Sequence, residues 1–206
     1  MEKLPIDTKS IDPQRLQELQ EIYRAITKNF DLEPTDENAI ELKDFGAFNN
    51  LKEAKIGGTF VINNTKLACH LTFVKVLTIV SLYRDTVSYY NYQIWASIKI
   101  KKNFGRVLIR RRTLVDKILN IVHPVEVHFH DDPPFKKNFY VVANDEAKAI
   151  SGMTAGFRDA LMDIQMEDFI IETFGDTLIL GNNNPITQDY AIYLAGFISK
   201  MAMIHQ

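Results

Sequence analysis

The 206-residue sequence contains a single cysteine, Cys69, so no disulfide can close within the chain. Cys69 lies in an apolar run and reads as a small core filler, and a reducing, cytoplasmic location is the expectation. A long apolar run is missing as well. The most apolar segment, 67–82, is interrupted by His70 and Lys75 and is rich in β-branched residues, which excludes a membrane span. The opening residues, MEKLPIDTKS, lack the apolar stretch of a secretory leader. An excess of charge of one sign is missing: the formal net charge is −2, and no strong overall field draws the molecule to nucleic acid or membrane. Catalytic signatures are missing too. There is no Gly-x-Ser-x-Gly turn and no phosphate-cradling glycine loop, and Gly181-Asn182-Asn183-Asn184 reads as a turn. The expectation is a non-enzymatic protein without a cofactor.

What is present suits one globular domain. Hydrophobic residues make up 46% of the chain, enough for a sizeable core. Asp12 caps and Pro13 opens a first helix, whose stripe of Leu16, Leu19, Ile22, Tyr23, Ile26 and Phe30 must pack on something. A short helix is expected over 36–43, with irregular chain after it. Strands follow at 59–62, 67–82 and 87–101, the last alternating strictly. Tyr90, Tyr92, Ile94, Ala96, Ile98 and Ile100 form its apolar face, while Tyr89, Trp95 and Lys99 fall on the other. Lys102-Asn103-Phe104-Gly105 reads as a hairpin turn into a return strand at 106–112. A short helix at 114–122 is expected to end before Pro124. Strands at 125–129 and 139–143 are split by an Asp131-Asp132-Pro133-Pro134 turn. Thr154 caps a helix carrying Phe157, Leu161 and Ile164, a hairpin at 169–173 and 177–180 follows, and a last helix runs over 188–204. The predicted fold is α+β: a twisted antiparallel sheet of seven or eight strands with N- and C-terminal helices packed on it, and 1–56 as a helical arm. The alternative is a bent barrel of the pleckstrin-homology kind, closed by the C-terminal helix.

The order of these elements carries a resemblance. Ile56-Gly57-Gly58-Thr59 leads into long paired strands that end in Phe104-Gly105-Arg106-Val107-Leu108-Ile109. Val125-Glu126-Val127 then precedes Asp132 and Phe135-Lys136-Lys137-Asn138-Phe139. Val141, Asp145, Ala147, Ala149, Met153-Thr154, Phe157, Leu161 and Leu178-Ile179-Leu180 complete the pattern. The chain resembles a bacterial protein family of unknown function whose members usually begin with membrane-spanning helices. It departs from that family in having none, and in following Thr154 with Ala155-Gly156 instead of proline. The resemblance implies a fold and no activity, and it transfers no functional residue.

Two local clusters are candidate sites. The first is the stretch 99–117, where Lys99, Lys101, Lys102, Arg106, Arg110, Arg111, Arg112 and Lys117 meet only Asp116. Its net charge is +7, leaving −9 for the rest of the chain. Basic groups beside Tyr89 and Trp95 suit an anionic surface or protein partner, and single-stranded nucleic acid less so. The plainer account is a solvated strand whose lysines and arginines protect an edge. The second cluster is His123, His128, His130, Asp131 and Asp132. Histidines two apart on a strand share a face, and His128, His130 and Asp132 can be imagined around a metal ion, as in a metal-dependent hydrolase. The plainer account here is a polar strand end. Finally, the C-terminal helix is apolar around most of its circumference. That fits core packing, or else a homodimer interface. The functional expectation is a binding or scaffold module acting through the basic 99–112 hairpin, with the hydrolase as the alternative.

Overall fold

A computed structural model of the chain describes residues 4–36, 39–81, 85–112 and 125–204. The expected helix at 114–122, His123, Asp116 and Lys117 lie outside the described residues. Among the described residues nine strands form one open antiparallel sheet: β1 (Leu32–Thr35), β2 (Ala54–Ile62), β3 (Cys69–Ser81), β4 (Thr86–Lys99), β5 (Val107–Arg111), β6 (Val125–Glu126), β7 (Phe139–Ala143), β8 (Ile170–Phe174) and β9 (Thr177–Gly181). Five α-helices accompany them among the same residues: α1 (Pro13–Asn29), α2 (Pro133–Asn138), α3 (Glu146–Gly152), α4 (Ala155–Met162) and α5 (Gln188–Ile204). The order across the sheet is β1-β2-β3-β4-β9-β8-β5-β7-β6. Because β1 and β6 are terminal and do not pair, the barrel alternative is corrected to an open sheet.

That order also overturns the hairpin expected at 99–112. β4 pairs with β9, β5 pairs with β8 and β7, and the β8–β9 hairpin lies between β4 and β5. Gly105 does take the left-handed backbone conformation that a turn requires (φ +75°). The turn simply does not join neighbouring strands.

The sheet has two buried faces. Phe60, Leu71, Phe73, Ile94, Ile98, Leu178, Leu180, Ile171, Ile109 and Val141 line the helical face, under α1, α4 and α5. The α1 stripe delivers Leu19, Ile22 and Ile26 into this core, and Asp12 caps the helix by accepting from the Arg15 N–H. Much of the apolar circumference of α5 is spent within the chain. Ala191, Leu194, Ala195, Ile198 and Met201 are buried, and α1 and β4 pack on the helix. Cys69 is buried on this face with its Sγ 3.7 Å from the Ile198 carbonyl, and burial pushes its thiol up to about 11.

On the opposite face a strap of two 3₁₀ turns, Leu42–Asp44 and Gly46–Phe48, covers a second cluster. Phe45 and Phe48 pack there with Val74, Val76, Trp95, Leu108, Val142 and Ile179. The stretch of β4 from Asn91 to Ile98 is consequently buried on both sides, where the alternation predicted one wet face. The strap is pinned by Glu172, whose two carboxylate oxygens accept the N–H groups of Gly46 (2.9 Å) and Ala47 (3.0 Å). Burial raises the Glu172 pKa, and the two backbone donors partly offset the rise. The 1–56 segment therefore contributes a strand and a strap besides its helix. β1 escaped the sequence reading because Pro34 stands inside it.

A candidate anionic-partner surface

β5 distributes the basic stretch. In a strand, successive side chains point to opposite faces. Val107, Ile109 and Arg111 therefore turn to the helical face, while Leu108 and Arg110 turn to the strap face, which Arg112 also joins. The guanidinium of Arg111 lies over the Phe139 ring (4.8 Å), and its Nη2 donates to the Ile164 carbonyl. Arg110 is buried over Tyr140, 5.1 Å from the ring centre. Arg112 approaches the same ring at 5.7 Å, donates from Nη2 to Glu126 (3.0 Å) and from Nε to the Lys136 carbonyl (3.1 Å). The three consecutive arginines thus do not form one surface.

The remaining basic residues gather near the opposite end of β5. Arg106 and Arg112 are six residues apart, roughly 20 Å along an extended chain. Around Arg106 charges are largely matched. Lys99 pairs with Asp176 (2.9 Å) and Lys148 with Asp145 (3.3 Å). Arg106 donates to the Asp44 carbonyl, lies 3.8 Å from Glu172 and covers Phe174 at 4.9 Å. Lys101 and Lys102 are exposed, and Lys102 reaches the Ser151 carbonyl at 3.4 Å. Arg106 and Lys148 line an open groove with Asn103, Gly105, Asn144 and Phe174.

Around Arg112 the balance differs. Arg112, Glu126, His128, Pro133, Lys136 and Lys137 line a shallow depression that is open to solvent. Among the described residues Glu126 is the only carboxylate of its lining, and Arg112 already occupies it. Lys136 and Lys137 come from α2, which Asp132 caps and Pro133 opens. The sequence reading took this stretch for a plain turn. The usable signal was the Asp-Pro pair, which also opens α1 as Asp12-Pro13.

His123 lies outside the described residues, and the other members of the histidine cluster are not brought together around one point. His128 and His130 sit with ring centres 6.2 Å apart, and His128 Nδ1 is 3.8 Å from Glu126. Asp132 faces elsewhere. Its Oδ1 accepts the Phe135 N–H (3.1 Å) and its Oδ2 accepts Arg158 Nε (2.8 Å). The Arg158 hydrogen bond holds the Asp132 carboxyl below the usual carboxylate range. Among the described residues no group of three His, Cys, Asp or Glu is placed to hold a metal ion. Among the same residues no helix is long and apolar enough to cross a membrane.

No family model matches the sequence, and no curated protein matches it. Among solved structures, the crystal structure of the mycobacterial trehalose monomycolate transport factor A, TtfA, is similar, with a TM-score of 0.52. The identity is 10%, and the match covers 95% of this chain and 98% of that chain. The similarity is one of fold alone.

Proposed function

We propose that this chain is a non-enzymatic binding or scaffold module that engages an anionic partner through the basic depression around Arg112. One observation carries the reading. Arg112, Lys136, Lys137 and His128 line a single open surface whose only carboxylate among the described residues, Glu126, is already paired. Cations gathered around an accessible depression attract carboxylate or phosphate groups, and among the described residues no carboxylate forms an ion pair with either lysine of α2. The Tyr140 ring between Arg110 and Arg112 stiffens the wall of the surface. The matched charges around Arg106 make that end of β5 the lesser contributor.

Salt-dependent retention tests the reading. Native protein is loaded on immobilised heparin and sedimented with vesicles containing phosphatidylserine, across a salt series. Lys136→Glu with Lys137→Glu is expected to abolish retention near physiological salt while lowering the melting temperature only slightly, since Lys137 is exposed, Lys136 is half-buried and both lie in the last turn of α2. Equal retention of native protein and double variant on both supports would overturn the assignment.

A further inference from the structure

We propose that the outer edge of β6 is a strand-addition site for an extended acidic segment of a partner protein. The inference rests on reading the Arg112, Lys136 and Lys137 surface as anion-binding, and adds to it a backbone contact and a partner class.

The register carries it. The N–H of Val127 donates to the Val141 carbonyl at 2.9 Å, so residue 127 bonds inward, toward β7. In an antiparallel pair the inward and outward positions alternate. β7 confirms the phase from its other side, since Asn144 donates to Arg106 and Arg112 donates to Asn138 across the β5 seam. Even-numbered residues of β7 thus serve β5, and Val141 and Ala143 serve β6. The N–H and C=O of Glu126 therefore point away from the sheet. No strand among the described residues pairs with that edge.

The two ends of the sheet are treated differently. At the β1 edge the N–H of Asn63 donates to Asp31, which makes 31, 33 and 35 the inward positions and 34 an outward one. Position 34 is proline, which has no N–H to offer, so an added strand loses a bond there. At β6 the equivalent outward position is Glu126, whose donor is intact. The β1 edge is blunted, and among the described residues nothing blunts the β6 edge.

Charge selects the occupant. Glu126 shares the strap-side face with Arg112, and a strand laid against β6 directs alternate side chains to that same face. Acidic side chains there meet Arg112, Lys136, Lys137 and His128. Basic ones meet repulsion. The fitting partner is an extended segment with carboxylates at every second position, a recurring recognition mode for open sheet edges.

The probe is a fluorescent peptide, acetyl-Val-Glu-Val-Glu-Val-Glu-Val-amide, read by anisotropy against the full chain. Its companions are the same peptide N-methylated at alternate residues and a version with lysine for glutamate. Two variants share the loss of the Glu126 carboxylate and differ only in the backbone donor: Glu126→Ala and Glu126→Pro. The Ala variant should bind the acidic peptide more tightly than native protein, because Arg112 is released. The Pro variant should bind about ten-fold more weakly than the Ala variant, from the lost backbone bond. The N-methylated and lysine peptides should not bind. If the Pro variant fails to fold, the N-methylated pair decides alone. Equal binding of both acidic peptides, equal binding by both variants, or no peptide binding while heparin retention persists overturns strand addition and leaves the anionic-surface reading standing. Loss of heparin retention as well overturns both.

Discussion

Arg158 and Asp132 form the hinge of a buried clasp: Nε of the guanidinium donates to Oδ2 of the carboxylate at 2.8 Å. Arg158 is 5% exposed, and it also donates to Asp131 (2.8 Å) and to the Met153 carbonyl (2.8 Å) while lying over Phe129 at 4.7 Å. Arg158→Ala is expected to cost about 2–3 kcal/mol in chemical denaturation at pH 7, below the range for a fully buried pair because Asp131 is exposed. The pH dependence has a definite sign. Asp132 titrates below its ordinary value of 3.8 when folded. Its contribution is therefore present above pH 3.8 and lost as pH falls through the lower folded value. The gap between native protein and Arg158→Ala should narrow over that acid range.

The strap supplies a second prediction. Glu172→Ala leaves the buried N–H groups of Gly46 and Ala47 without their acceptor, at a cost of about 2 kcal/mol. Trp95 is the single tryptophan and meets Phe48 of the strap edge-on at 4.8 Å. Its emission should shift to the red in the variant as the strap loosens. The folded Glu172 pKa lies above the ordinary 4.5, so native stability from this group is greatest below pH 4.5 and declines as pH rises through the folded value. Glu172→Gln should lack that decline.

Two glycines of neighbouring helices should respond oppositely to alanine. A Cβ at Gly152 would stand 2.1 Å from Phe104 Cδ1, a ring fixed in the core. Gly152→Ala should destabilise by about 2 kcal/mol or more through overpacking. Gly156, in the first turn of α4, has open space around its Cα. Gly156→Ala should stabilise by about 0.5 kcal/mol by restricting the unfolded chain. Thermal melts of the two variants should move in opposite directions.

Cys69 should be silent to thiol reagents in the native state, because it is fully buried and its thiol is pushed up to about 11. A maleimide should label it only in denaturant. Labelling of native protein at the unfolded rate would show that the helical face opens readily.

The two ends of β5 can be separated experimentally. Lys101→Glu with Lys102→Glu should reduce heparin retention less than the same change at Lys136 and Lys137. Arg106 and its surroundings already carry matched carboxylates.

Much of this molecule was legible one segment at a time. The Asp12-Pro13 start, the β8–β9 turn at Gly175-Asp176 and the C-terminal helix all follow from local chemistry. What the sequence could not show is which segments become neighbours. Lys102-Asn103-Phe104-Gly105 has every residue a hairpin wants, and yet β4 and β5 are held apart by strands some seventy residues downstream. Asp132 looked like a metal ligand because its partner, Arg158, lies 26 residues away on another helix. The basic run read as one patch because a linear count ignores the strand alternation that sends Arg111 one way and Arg112 the other. Lys136 and Lys137 were missed because two lysines in a six-residue helix make no run at all.

The placement of the β8–β9 hairpin also bears on how the chain acquires its structure. Strands β1 to β4 and strands β5 to β7 are joined across the sheet only through this late segment. During synthesis the first 165 residues emerge as two separate ribbons, and each waits with an exposed seam. The last forty residues act as the mortise between them, so a premature stop before Ile170 would leave two partial sheets with no common core, open to chaperones and proteases.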